Sequence, residues 1–161
     1  MKTSDLSCDS AALWTSYVDE AYVRDVRTYV SRVIAPEADR IDRDDVYPVA
    51  IMKDLAKQGY SAVAMEASLG GRGLSYQHAV AVCEEVAVAS AAVGVSLITI
   101  FQAQTMIRLF GAESLKQRYL PAIAGGLLCS YALTEANHGS DIRTLDTKAR
   151  LQDGQWVVLI E

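Results

Sequence analysis

Cysteine, proline, histidine and large aromatics are all scarce in this chain, and each shortage closes off a class of structure. Its three cysteines, Cys8, Cys83 and Cys129, are too far apart for a small disulfide-stapled scaffold and fit a reducing, cytoplasmic setting. The two histidines, His78 and His138, are remote from each other and from the cysteines, so the paired spacing of a zinc site is missing and no metal is expected. Basic residues are also in the minority. Fifteen Lys and Arg stand against 20 Asp and Glu, with a net charge of -5 and no basic cluster, which argues against a nucleic-acid backbone as partner. The start, MKTSDLSCDS, has neither an apolar run nor an Arg-rich amphipathic stretch, so residues 1–12 read as a flexible tail rather than a targeting signal.

What the chain does have is apolar periodicity. Leu13, Val18, Tyr22, Val26, Val30 and Val33 recur at the spacing of one helical face, with charged residues between them, and predict an amphipathic helix from 13 to 34. Pro36 and the polar run EADRIDRDD are read as a loop, and Pro48 as the first turn of a second helix that ends at Gly59. Residues 59–76 form a long loop made permissive by Gly70, Gly71 and Gly73; it holds neither G-x-G-x-x-G nor G-K-[ST], so a phosphate cradle is not expected there. Ser75 is a candidate N-cap for a third helix over 76–88, and 91–110 predicts a fourth ended by Gly111. The uncharged stretch from Val86 to Ile107 is long enough to cross a bilayer. Its interruption at Ser90-Ala91-Ala92 and its internal Ser and Gln residues favour two core helices, and no membrane span is expected. A fifth, short helix follows, anchored by Leu115, Tyr119 and Leu120 and stopped at Gly125-Gly126.

Beyond residue 126 the pattern changes to that of strands. LLCSYALT reads as a buried strand, DTKARLQ alternates, Asp153-Gly154 signals a hairpin, and QWVVLI reads as its second arm. The expectation is a helical domain over 13–126 and the beginning of a β domain over 127–161. Few residues suggest chemistry. Glu84 and Glu85 are adjacent on a helix, where side chains diverge by about 100°, and do not make an acid/base dyad. Ser140, His138 and Asp141 are too close in one loop to be expected to form a nucleophilic triad. The loop YALTEANHGSD, residues 131–141, is left with two readings of equal weight: a row of backbone and hydroxyl donors for a ligand, or a turn that joins two strands.

The order of these segments carries a resemblance. GYSAVAMEASLGGRGLSY, AVCEEVAVASAAVGVSL, FGAESLKQRYLPAIAGG and CSYALTEANHGSDIRTLDTKARLQDGQWVV resemble the acyl-CoA dehydrogenase family segment by segment, over about residues 17–158. Gly111 to Pro121 are similar to its G-x-x-x-Q-[KR]-x-x-[YF]-L-P element, with Leu115 in the Gln position, and Ala132 to Asp141 match its [AS]-x-T-E-x-x-x-G-S-D element. The resemblance implies a mainly α fold, an N-terminal helical domain followed by the first strands of an incomplete β-barrel domain. It also implies bound FAD, an acyl thioester substrate, α,β-desaturation with hydride passing to flavin N5, an oligomer, and an electron-transfer flavoprotein as redox partner.

Carried over by motif position, Tyr131, Ala132, Leu133 and Thr134 would line the flavin edge, Gly139 and Ser140 would lie near the pyrophosphate, and Ser140 would also contact the thioester ligand. By position on the fourth helix, Ser96, Leu97 and Ile100 would face the acyl chain. Ala136, Asn137 and His138 replace the proline and small residues common in the family. The family's catalytic glutamate belongs to a C-terminal bundle, so no catalytic residue is assigned here. The expectation is therefore half of a site with little activity alone, in a fragment or in a subunit completed by a partner. The rival expectation is a non-catalytic assembly subunit that pairs through an exposed β edge.

Overall fold

The computed structural model describes residues 17–159; the expected tail and the first residues of the predicted opening helix lie outside them. Two units, Met1–Ser130 and Tyr131–Glu161, are distinguished and taken in turn.

In the first unit α1, Glu20–Val33, opens at Asp19, whose Oδ1 accepts the Ala21 N–H at 3.0 Å, and buries Val26, Tyr29 and Val30. The expected loop after Pro36 is instead helical. A 3₁₀ turn, Ala35–Glu37, leads into α2, Ala38–Asp44. Proline at the start of the turn lacks an N–H that no helix needs there, Ile41 supplies one buried anchor, and Arg40 pairs with Glu37 at 2.7 Å. Pro48 takes the cap position just before α3, Val49–Lys57, rather than its first turn. Gly59 then adopts φ 74, the left-handed cap expected of it.

The glycine loop is more ordered than a loop of its composition suggests. Two 3₁₀ turns, Tyr60–Ala62 and Ala67–Leu69, are folded together by backbone bonds from Arg72, Gly73 and Leu74 to the carbonyls of Ala62, Met65 and Val63 at 3.0, 2.8 and 3.0 Å. A Cβ on Gly71 would overlap the Met65 carbonyl, which explains glycine at that place. Helix α4, Tyr76–Ala89, follows, but Ser75 does not cap its backbone; its Oγ pairs with His78 Nδ1 at 2.8 Å. Extended Ser90 separates α4 from α5, Ala91–Phe110, and its Oγ accepts the Val93 N–H at 3.4 Å. The uncharged run is thus two helices. Helix α6, Glu113–Ala124, buries Leu120 and Ile123, while Leu115, an expected anchor, is 45% exposed.

Helices α1, α3, α4 and α5 share one core, in which Ile34, Leu55, Val82, Val86, Val93 and Leu97 are fully buried. Each such side chain contributes roughly 1.5–3 kcal/mol relative to exposure. A smaller cluster of Ala62, Met65, Leu120 and Ala124 seats α6 on the glycine loop. Polar ties fix the angles between helices: Arg27 of α1 forks onto Glu85 of α4 at 2.6 and 2.9 Å, and the Tyr29 hydroxyl donates to Asp54 of α3 at 2.9 Å. Glu85 is therefore a structural carboxylate. Helix α5 is long and apolar enough to meet a bilayer-crossing criterion, yet one face lies in the core and the other leaves Val95, Ile98, Met106 and Leu109 exposed.

The expected strand LLCSYALT, whose first four residues belong to the first unit and last four to the second, does not form, and no residue from 127 to 134 is in a strand. Strands β1, Lys148–Gln152, and β2, Gln155–Leu159, make an antiparallel hairpin. Its turn residues Asp153 and Gly154 both have positive φ, 51 and 77, as a two-residue Asp-Gly hairpin requires. The register sets Leu151 against Trp156 and Ala149 against Val158, giving one wholly apolar face that is exposed along its length.

Candidate functional site

The loop YALTEANHGSD lies in the second unit, and its geometry is set by three side chains that sequence reasoning did not select. Glu135 and His138 exchange backbone bonds across a tight turn at 2.9 and 3.3 Å. The Glu135 carboxylate accepts the N–H groups of Asp146 and Thr147 at 2.6 and 2.8 Å. Bonding from Thr147 first, then from the backbone of Asp146, holds the Glu135 carboxyl below the usual carboxylate range. His138 stands at the centre, with Nε2 3.1 Å from Asp146 Oδ2 and Nδ1 3.0 Å from Thr144 Oγ1. Thr144 in turn donates to Asp141 at 3.2 Å, and Asp141 accepts the Arg143 N–H at 3.1 Å. The visible signal for this knot was the run of turn-forming Asp, Asn and Thr residues with an acid at each end.

Glu135, His138 and Asp146 place one ligand-type atom each within 4.8 Å of one another. The distance between Cys and His positions, on which a metal was not expected, did not test such a mixed set. All three groups are already engaged, Glu135 with backbone N–H groups and His138 with Asp146. Ser140 makes no bond to His138 among the described residues; the histidine is turned to Thr144 and Asp146 instead.

Of the residues expected at a flavin, Tyr131, Ala132, Leu133 and Thr134 run as a stretch without helix or strand structure. Among the described residues, the N–H groups of Ala132, Leu133, Thr134, Gly139 and Ser140 meet no acceptor within the chain, and the Thr134 hydroxyl makes no bond. A Cβ on Gly139 would meet nothing within 4 Å, so the backbone there is open to approach. In the first unit Ser96 donates its hydroxyl to Ala92 O at 2.8 Å. Leu97 and Ile100 lie in the helical core at 0% and 2% exposure, because α5 turns their face inward. The α5 side chains presented outward nearby are Val95 and Ile98.

A second feature of the first unit is a cavity of about 300 Å³ between α4, α5 and the glycine loop, lined by Met65, Ala79, Cys83, Phe101 and Gln104 among others. At its rim Arg108 forks onto Glu66 at 2.7 and 3.1 Å and donates to the Tyr76 hydroxyl at 2.9 Å. The guanidinium bond keeps the Glu66 carboxyl below its usual range. Burial pushes the Cys83 thiol up to about 11.

Residues 18–127 match the model of the acyl-CoA dehydrogenase N-terminal domain. An acyl-CoA dehydrogenase of Bacillus subtilis is 33% identical over 135 residues, which are 83% of this chain and 36% of that protein. A 3-(aryl)acrylate reductase of Clostridium sporogenes is 32% identical over 83% of this chain and 36% of its own length. The chain thus spans about a third of the length of the curated relatives it matches. Among solved structures, an acyl-CoA dehydrogenase from Bacillus anthracis complexed with FAD superimposes with a TM-score of 0.74 at 26% identity, covering 86% of this chain and 24% of that one. Butyryl-CoA dehydrogenase from Megasphaera elsdenii shares the fold with a TM-score of 0.78 at 24% identity over 86% of this chain and 38% of its own. The helical unit and the hairpin that follows it are therefore that family's N-terminal domain and the start of its β domain.

Proposed function

The chain belongs to the acyl-CoA dehydrogenase family, of which it carries the N-terminal domain, and on that premise we propose that residues 131–141 are one wall of an FAD site in an enzyme that desaturates acyl thioesters. The observation that carries this reading is the row of unengaged N–H groups at Ala132, Leu133 and Thr134, continued at Gly139 and Ser140 and left open by the absence of a side chain at Gly139. Such a row fits the acceptor edge of a flavin and the oxygens of a pyrophosphate. Bound FAD would supply the hydride-accepting ring.

The chain's own contribution is to bind and orient. Thr134 presents a free hydroxyl beside its N–H, and the bonds of Glu135 and His138 hold the turn that follows it, so the Gly139 and Ser140 donors need less ordering when the cofactor binds. Ser140 is proposed as a contact to the thioester; within the first unit, taken by itself, the outward face of α5 at Val95 and Ile98 is proposed for an acyl chain, with Leu97 and Ile100 behind it in the core and Ser96 on another face of the helix, beside Tyr47 and Pro48. The base that takes the α proton is assigned to no residue here. The proposed site is half of a whole, completed by further polypeptide of the family's length, within an oligomer that passes electrons to an electron-transfer flavoprotein in the cytoplasm.

Fluorescence titration of FAD with the 161-residue chain tests the binding wall. Quenching that weakens in Thr134→Val is expected, together with negligible desaturation of acyl thioesters; FAD binding indifferent to Thr134, or normal turnover, refutes the proposal.

A second reading is a non-catalytic assembly subunit, and the exposed apolar face of Ala149, Leu151, Trp156 and Val158 favours it. Light scattering with and without a full-length homologue tests it: a chain that stays monomeric in both cases counts against an assembly subunit.

A further inference from the structure

The bonded knot around His138 is one proton short. Thr144 has a single hydroxyl proton and two acceptors beside it, Asp141 Oδ2 at 3.2 Å and His138 Nδ1 at 3.0 Å. A carboxylate is the stronger acceptor, so the hydroxyl donates to Asp141, and Nδ1 carries the imidazole proton and donates to Thr144 Oγ1. The lone pair of the ring is then on Nε2, which faces Asp146 Oδ2 from 3.1 Å. Two acceptors oppose each other there, a contact that a cation has to bridge. The Glu135 carboxylate brings a third ligand atom, and all three lie within 4.8 Å of one another. A proton joins two of these atoms; a divalent ion joins all three and offsets both carboxylate charges.

We propose that His138 Nε2, Asp146 Oδ2 and one Glu135 oxygen bind a divalent first-row transition ion, best matched by zinc, with the fourth position left to water. One imidazole nitrogen and two carboxylate oxygens are ligand types zinc accepts, and its tetrahedral ligands stand about 3.3 Å apart, close to the separation of His138 and Asp146. Each Glu135 oxygen accepts one backbone N–H, from Asp146 or Thr147, and keeps a second lone pair, so its tie to the hairpin survives coordination. Outside the ligands, Thr144 and Asp141 fix the ring plane and tautomer of His138 as outer partners of metal-bound histidines do. All three ligand residues are half-buried, which leaves the ion a way in. Magnesium and calcium favour all-oxygen sites, so the imidazole selects against them. The inference does not depend on the flavin reading, since it rests on bonds within the second unit alone.

Zinc chloride and magnesium chloride are the probes, titrated into the 161-residue chain by calorimetry while the imidazole nitrogens are followed by NMR. Zinc is expected to move the His138 Nε2 resonance and leave Nδ1 protonated, with no comparable change at His78 and no response to magnesium. Asp146→Asn and Glu135→Gln, which keep side-chain shape and an acceptor oxygen, should each weaken zinc by about tenfold or more. Thr144→Val, which touches no ligand directly, should weaken it by about tenfold through the freed ring. Where a variant disturbs the loop, the wild-type His138 resonances decide. Absence of binding at millimolar zinc, zinc that leaves His138 Nε2 unmoved, as ions held by cysteines would, or unaltered affinity in both Asp146→Asn and Glu135→Gln, overturns the proposal.

Discussion

Glu135 closes the candidate loop by accepting the Asp146 N–H at 2.6 Å across 11 residues of chain. A second bond, from the Thr147 N–H at 2.8 Å, reaches the other oxygen of the same carboxylate. Glutamate at this position is a clasp between the donor-bearing segment and the first strand of the hairpin.

Glu135→Ala should therefore leave the hairpin intact while releasing the loop. Hydrogen exchange is expected to rise at the amides of Asp146 and Thr147, with little change at Ala149 or Val158, which the strand pairing holds. Equal protection in the variant would mean that the clasp is incidental. The pH dependence follows from the lowered Glu135 value: the folded carboxyl is more acidic than the unfolded one, so the clasp is fully present above the ordinary glutamate range. It loosens as pH falls through the depressed value.

Steric demand separates two glycines that look alike in sequence. Alanine at Gly71 would drive its Cβ into the Met65 carbonyl and should cost about 1–3 kcal/mol by overpacking. Alanine at Gly139 meets nothing within 4 Å and should leave thermal stability unchanged. Melting temperatures of the two variants check the contrast. A loss of FAD quenching in Gly139→Ala without loss of stability would in addition support close approach of the cofactor there.

Helices α4 to α6 were legible because Ser90, Gly111 and Gly125 punctuate runs with clear apolar content. Helix α2 was not, because EADRIDRDD is charged almost throughout and its stability rests on Ile41 and on neighbours that no local pattern reveals. The strand expected in LLCSYALT failed for the converse reason: an apolar run needs a pairing partner, and none among the described residues lies beside it. At the candidate loop the order of motif residues was legible, whereas the bonds of Glu135, His138 and Asp146 that shape it depend on contacts eight to twelve residues apart.

The core position of Leu97 makes a quantitative expectation possible. It is fully buried among α1, α3, α4 and α5, so Leu97→Ala should destabilise the helical unit by about 2–5 kcal/mol, whereas Ile98→Ala, at a 43% exposed site, should cost far less. Urea denaturation read by far-ultraviolet circular dichroism checks both. If Leu97 instead met the acyl chain, the variant would keep its stability and lose ligand affinity.

The Arg108 and Glu66 pair joins α5 to the glycine loop with two bonds, but Glu66 has 52% of its side chain exposed. Solvent screening limits the value of such a pair to about 0.2–1 kcal/mol, so Glu66→Gln should change the urea midpoint only slightly. Arg108→Ala should cost more. Its side chain is 17% exposed, covers the cavity rim and also donates to the Tyr76 hydroxyl, so packing and a second bond are lost together. Equal midpoints for the two variants would show that the ion pair alone matters.

Cys83 offers a probe of the cavity wall that needs no ligand. Desolvation raises its thiol to about 11, so the thiolate that reacts with alkylating agents is scarce at pH 8.5. Iodoacetamide should modify Cys83 far more slowly in the folded chain than in urea, and the difference should narrow as pH approaches the raised value. The sign is fixed by linkage: the neutral thiol is the form the folded state favours, so its contribution is complete below the ordinary cysteine range and is lost as pH rises through about 11. Peptide mapping of the alkylated site separates Cys83 from Cys129, which is also held above its usual value by burial. Rapid modification of Cys83 at pH 8.5 would show that the α4 wall opens to solvent, and the cavity would then be a transient gap instead of a formed site.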